Sequence, residues 1–159
     1  MKKIILILIG IFLISFIFYG IWRNKDNEFN LPSLKITYDN EKIEFEANGY
    51  NWNKNGKAVI ADPQSTENIA KKMEGSDVPA GASLNLKFSK EPKSIKVVEE
   101  DSLKNIGYTV TNNTIITPTE LGEHILVITG EWEDGYVTYV TKIESVKKEE
   151  YNKKHKIKF

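Results

Sequence analysis

"GEHILVITGEWEDGYVTYVTKIESV", residues 122–146, decides the fold. Two long runs, rich in β-branched residues and free of proline, flank Glu133-Asp134-Gly135. His124, Leu126, Ile128, Gly130 and Trp132 share one face of the first run; Val137, Tyr139, Thr141 and Ile143 share one face of the second. A period of two over that length predicts two strands, each with one face on a core. Asp-Gly between them supplies the positive φ that a tight hairpin turn needs. The stretch therefore reads as one β-hairpin. Its aromatics become core and cross-strand partners, and Glu131, Glu133 and Asp134 become solvated edge and turn residues.

The same period extends upstream. Leu34/Ile36/Tyr38, Ile43/Phe45/Ala47, Tyr50/Trp52, Leu84/Leu86/Phe88 and Ile106/Tyr108/Val110 each alternate with polar or small residues. Turn signals separate the runs at Asp39-Asn40, Asn48-Gly49, Asn55-Gly56, Pro79-Ala80-Gly81 and Asn112-Asn113. Many short strands at such spacing predict an all-β sandwich over residues 34–146. One interruption, "DPQSTENIAKKMEG" (62–75), predicts a short helix. Ser65 can cap it, Ile69 and Met73 lie four apart on one face, and Gly75 can end it. About two turns are expected across one end of the sandwich.

The chain begins "MKKIILILIGIFLISFIFYGIWRNKDNEFN". Residues 4–22 carry no charge over 19 positions. As a helix such a run spans roughly 28 Å, close to the hydrocarbon thickness of a bilayer. It is apolar on every side, unlike a core helix. It exceeds the usual apolar region of a secretory signal and ends without a small-x-small cleavage site. Tyr19 and Trp22 sit where interfacial aromatics belong, and Lys2 and Lys3 favour the cytoplasmic side. Residues 1–23 therefore read as an uncleaved signal anchor with everything downstream outside the cytoplasmic membrane. The alternative is a long signal peptide cut at an atypical site, which would give a secreted protein. Residues 24–33 read as a linker and 147–159 as a basic tail.

Net charge is zero, but its distribution is uneven. Residues 1–23 hold three cations and no acid, 147–159 hold six lysines and two glutamates, and the stretch between has a net charge of −7. An acidic body between basic ends does not suit nucleic acid. The lysines of the tail could lie on anionic headgroups or wall polymer; a frayed, solvated terminus is the simpler expectation. Cysteine is absent, which excludes disulfides, thiolate metal sites and a cysteine nucleophile.

Trp52, "AVIADP" (58–63), the short helix, "VPAGASLNLKFSKEPKSIKV" (78–97) and the closing hairpin together resemble a small immunoglobulin-like extracytoplasmic domain. Such domains occur on membrane-anchored proteins or lipoproteins of low-GC Gram-positive bacteria. The resemblance covers roughly residues 48–146. It departs at His124, where an aromatic is common, and in the missing lipoprotein cysteine. It implies an immunoglobulin-like β-sandwich with a different kind of anchor, and no catalytic residue.

Chemical motifs are sparse. The two histidines, His124 and His155, are isolated, and no G-x-S-x-G, H-E-x-x-H or phosphate loop occurs. Glu44 and Glu46, two apart, are expected on one water-facing strand surface rather than across a cleft as a glycosidase requires. Glu131, Glu133 and Asp134, with the run Glu99-Glu100-Asp101, are hard oxygen ligands for a calcium candidate, though no EF-hand loop is present. No cofactor is expected. The reading is a non-enzymatic binding module on the cytoplasmic membrane, meeting a protein or envelope polymer through Trp52, Tyr136, Glu133 and Asp134 as exposed residues. The alternatives are a sensor or accessory subunit of a membrane complex and a secreted carboxylate-dependent hydrolase.

Overall fold

The structure, a computed structural model, describes residues 14, 15, 19, 30–54, 56–100 and 105–155. The chain divides into two compact units, Met1–Asn30 and Leu31–Phe159. The expected membrane anchor, 4–22, lies outside the described residues apart from three helical positions, 14, 15 and 19. No helix among the described residues is long and apolar enough to cross a membrane.

The second unit is a β-sandwich. Its strands are β1 (Leu34–Tyr38), β2 (Glu41–Ile43), β3 (Glu46–Lys54), β4 (Lys57–Ala61), β5 (Ser76–Pro79), β6 (Ser83–Phe88), β7 (Ser94–Glu100), β8 (Asn105–Tyr108), β9 (Thr114–Ile116), β10 (Gly122–Trp132) and β11 (Gly135–Val146). The smaller sheet runs β2-β1-β6-β9, and the larger runs β4-β3-β11-β10-β7-β8. All pairs are antiparallel except β5, which lies parallel to the second half of β11. Two helices accompany them, α1 (Thr66–Ala70) and α2 (Lys148–His155).

The long hairpin is the spine of the larger sheet. β10 and β11 pair without interruption from Gly122↔Ser145 to Trp132↔Gly135. Leu126, Ile128, Val137, Tyr139, Thr141 and Ile143 are all buried, as the period of two requires. They meet Leu34, Ile36, Leu84, Leu86 and Ile115 of the smaller sheet in one core. Phe88 ties the two layers: its ring lies 5.7 Å from Trp132 and 6.2 Å from Tyr139. Such edge-on and tilted pairs add to the area that they bury.

Two glycines act differently from the sequence expectation. Asn48-Gly49 makes no chain reversal; it lies inside β3. There Val137 pairs with Tyr50 and Tyr139 with Ala47, so two residues of β3 oppose one of β11. That is a β-bulge, and Gly49 takes φ +88° in it. Gly135 is needed by β3 rather than by the turn. A Cβ there would lie 1.9 Å from the Asn51 carbonyl oxygen.

The helices also depart from expectation. α1 lies over the outer face of the larger sheet, not across an end. Ile69 and Met73 cluster with Val140, and Ile125 packs against them. Ser65 occupies the N-cap position, but its side chain makes no capping bond. The tail expected to fray instead forms α2 over Lys148–His155, and Tyr151 within it is buried. Residues 156–159 lie outside the described residues.

Candidate functional site

The residues singled out from the sequence converge on the hairpin end of the larger sheet. The register brings Ser94, Glu131, Tyr136, Asn51 and Ile60 into one row, pair by pair. These positions alternate with the buried ones, so the row lies on the solvent face. Tyr136 is 43 % exposed and Ile60 61 % exposed, two apolar surfaces flanking Asn51.

The acids of the turn are already engaged. Asp134 pairs with Lys90 at 2.7 Å and Glu133 with Lys93 at 3.1 Å. Glu131 accepts from the Ser94 hydroxyl at 2.7 Å. These groups draw the loop after β6 onto the hairpin, and the Lys93 amide donates to the Glu131 carbonyl at 2.7 Å. Exposed pairs of this kind contribute only about 0–1 kcal/mol each, so they position the loop more than they stabilise the fold. Each carboxylate turns to a different partner, which separates the three calcium candidates. Among the described residues, no group of three or more His, Asp or Glu could hold a metal ion. Asp101 lies outside the described residues, and Glu99 faces the interior.

Trp52 corrects the expectation of an exposed aromatic: it is 5 % exposed. Its partners Val59 and Gly135 place it on the inner face of the sheet. There it packs at 5.6 Å against Trp132, and the Lys90 ammonium sits 5.6 Å from its ring centre. The Trp132 indole N–H donates to the Lys90 carbonyl at 3.0 Å. Trp52 therefore supports the hairpin end from beneath, while Tyr136 is its exposed ring.

A second constellation was not foreseen. Glu99 of β7 holds His124 Nδ1 at 2.5 Å with one carboxylate oxygen and accepts the Tyr108 hydroxyl at 2.5 Å with the other. His124 Nε2 lies 3.0 Å from the Glu120 carbonyl. The Glu99 and His124 side chains are only 13 % and 9 % exposed. Burial, with Glu99 alongside, pushes the Tyr108 phenol well above its ordinary range. The arrangement looks like part of a catalytic triad, but the ring nitrogen that would serve a nucleophile is spent on a backbone carbonyl. Its effect is to fasten β7, β8 and the start of β10 to one another. The parity of Glu99 in "SIKVVEE" was the available signal, since it places a carboxylate on the inner face.

Glu44 and Glu46 line a surface groove of about 290 Å³ with Lys42, Phe45, Lys72 and Met73. The two acids do not share one strand surface as expected, because Glu44 lies in the crossing from β2 to β3. Its amide N–H donates to the Ser76 hydroxyl at 3.3 Å, and its carbonyl accepts from the Thr141 hydroxyl at 2.6 Å.

Comparison with protein-family models finds no matching family, and comparisons with curated proteins and with solved structures find no similar chain.

Proposed function

We propose that this chain is a non-enzymatic, extracytoplasmic interaction module. In this reading an immunoglobulin-like β-sandwich is held at the outer face of the cytoplasmic membrane by the apolar segment 4–22. It meets a protein or an envelope polymer through the hairpin end of its larger sheet. The observation that carries the reading is the solvent-facing row from Ile60 through Tyr136 to Glu131, with Tyr136 43 % and Ile60 61 % exposed. An aromatic ring standing on a rigid sheet offers a large contact area at little conformational cost. The ion pairs of Asp134 and Glu133 hold the adjoining turn in place. The 19 uncharged residues of 4–22 support the tether.

The test is cross-linking of the full-length chain in intact native cells, followed by mass spectrometry of what is attached. One dominant protein or polymer adduct is expected, and Tyr136→Ser should reduce its yield about tenfold, the loss expected from a central aromatic contact of about 1.4 kcal/mol. An adduct pattern that Tyr136→Ser and Glu133→Lys both leave unchanged would sink the hairpin end as the binding surface.

A further inference from the structure

Most sheet edges in this molecule are guarded. β2 and β9 are three residues long. α2 lies against the end of β1, the start of β2 and β5: Tyr151 packs on Tyr38 at 5.2 Å, His155 reaches Glu41 at 3.1 Å, and Lys154 pairs with Asp77. β8 is four residues long with a glycine in its middle. β4 has none of these devices. It is five residues, Lys57-Ala58-Val59-Ile60-Ala61, with no proline, no glycine and one charge. Among the described residues it pairs only with β3, and positions 57–60 are all exposed. Natural sheets rarely leave so apolar an edge open, because its free N–H and C=O groups recruit another strand.

The backbone pattern fixes what this edge can accept. Lys54↔Lys57 closes the β3–β4 hairpin with two residues between them. Such a closing pair exchanges both of its hydrogen bonds, and so does every second pair beyond it. Val59 therefore spends its N–H and C=O on Trp52, while those of Ala58 and Ile60 point away from the sheet. Only another extended strand offers donors and acceptors at that spacing.

The side chains point to a second copy of β4. When two copies of one sheet join edge to edge about a twofold axis, residues of equal parity must face each other. Centred on Val59, the pairing sets Val59 against Val59, Ala58 against Ile60 and Lys57 against Ala61. Small residues then face large ones, and no like charges are opposed. Shifting the centre to Ile60 would put Ala58 against Asp62 and Lys57 against Pro63. Pro63 instead packs towards β3, where a Cβ on Gly49 would lie 3.0 Å from its Cα. We infer that β4 is a self-pairing edge: two copies of this chain join their larger sheets through antiparallel β4 strands centred on Val59. The hydrogen-bonded pairs are Ala58 with Ile60 and Ile60 with Ala58. Five-residue strands bury less than the ~1,200 Å² of a standard stable interface, so the dimer forms and dissociates with concentration. The inference shares Ile60 with the hairpin-end row but does not depend on that reading, because it rests on the outward backbone groups of β4 and is read without any partner.

The cysteine-free chain makes the test direct. In full-length protein, purified in mild detergent, Val59→Cys can form a disulfide only with another copy. A pair that is not hydrogen-bonded brings its Cα atoms to about 4.5 Å, within the range a disulfide spans. Under mild oxidation Val59→Cys is expected to give covalent dimer at least tenfold faster than Ala58→Cys or Ile60→Cys alone. A mixture of those two single variants should cross-link to each other. Ile60→Pro removes an outward N–H that β3 does not use, so it should leave the circular dichroism unchanged and make the protein monomeric by sedimentation. Equal cross-linking at 58, 59 and 60, or a monomeric parent at every concentration, would overturn the proposal. So would a Val59→Cys adduct formed in native membranes with a different protein in place of a second copy, since β4 would then take a foreign strand.

Discussion

At the scale of residues, Glu99 shows how one carboxylate can organise three strands. Its two oxygens serve His124 and Tyr108, whose own strands flank or adjoin β7. Removing it leaves the buried His124 and the half-buried Tyr108 without their acceptor, a loss that ordinarily exceeds the net worth of the bonds themselves. Glu99→Ala is expected to destabilise the fold by about 2–3 kcal/mol, seen as a lower urea midpoint at unchanged slope. His124→Ala should cost a similar amount, and the double variant clearly less than the two together, because each single change orphans the other's partner. Additive losses would show that the contacts are independent. Gly135 is a sharper case. At φ +146° and 1.9 Å from the Asn51 oxygen, a Cβ cannot fit without moving β3. Gly135→Ala should cost upwards of about 3 kcal/mol by the same urea measurement, whereas Gly56→Ala, with open space around it, should cost only about 1 kcal/mol for its positive φ. The sequence made the parity of these residues legible, but not their neighbours. Trp52 reads as exposed in the sequence because nothing in its own strand says which strands will lie beside it. The pairing with Val59 and Gly135 is a tertiary fact.

At the scale of elements, strands were easier to read than helices. Leu84, Leu86 and Phe88 alternate with polar residues, and β6 has the matching pattern of buried and exposed positions. α2 gives no such signal. Among its eight residues Tyr151 alone is buried, and no apolar stripe repeats at helical spacing. Its helicity comes from elsewhere. Glu149 and Glu150 stand in the first turn and Lys153, Lys154 and His155 in the last, which complements the helix dipole. Tyr151 then anchors it, edge-on to Tyr38 at 5.2 Å and stacked on His155 at 4.0 Å. Lysine-rich composition reads as a solvated end because composition does not record which side chains find acids such as Asp77 and Glu41. A helix held by one anchor should detach without unfolding the sandwich. Tyr151→Ala is expected to weaken docking by about 2 kcal/mol, on the order of thirtyfold in the local opening equilibrium. Hydrogen exchange would show it as faster amide exchange across 148–155, with β10 and β11 unchanged. Protection lost equally in both places would mean that α2 is part of the global fold rather than a docked addition.

At the scale of the whole molecule, the sandwich was legible because period-two alternation recurs along the chain and because the cysteine-free composition leaves the apolar core to hold it. What the sequence could not supply was the set of long-range polar ties that close the core. Three tyrosines make several of them. The Tyr139 hydroxyl donates to the Pro32 carbonyl at 2.5 Å, across 107 residues of sequence. Tyr151 reaches Glu41 at 3.5 Å and Tyr108 reaches Glu99 at 2.5 Å. Burial pushes the Tyr139 phenol up to about 12. Burial, then the neighbouring Glu41, does the same for Tyr151, to about 12. Tyr108 is pushed higher still. A phenol in the unfolded chain ionises near 10, so above that pH the unfolded state sheds protons that the folded state keeps. The sign follows: the contribution of these tyrosines is complete below about pH 10 and is lost as pH climbs through about 12. Lys154, held above its ordinary range by its bond to Asp77, acts in the same direction. Urea midpoints measured from pH 8 to pH 11.5 should therefore be level at first and fall steepening beyond about pH 10. Tyr139→Phe removes one of the ionisable groups, so its stability should fall less steeply over the same range even if it starts lower. A parent whose midpoint stays flat to pH 11.5, or a Tyr139→Phe curve parallel to it, would mean that the core opens to solvent around these phenols more readily than their burial allows.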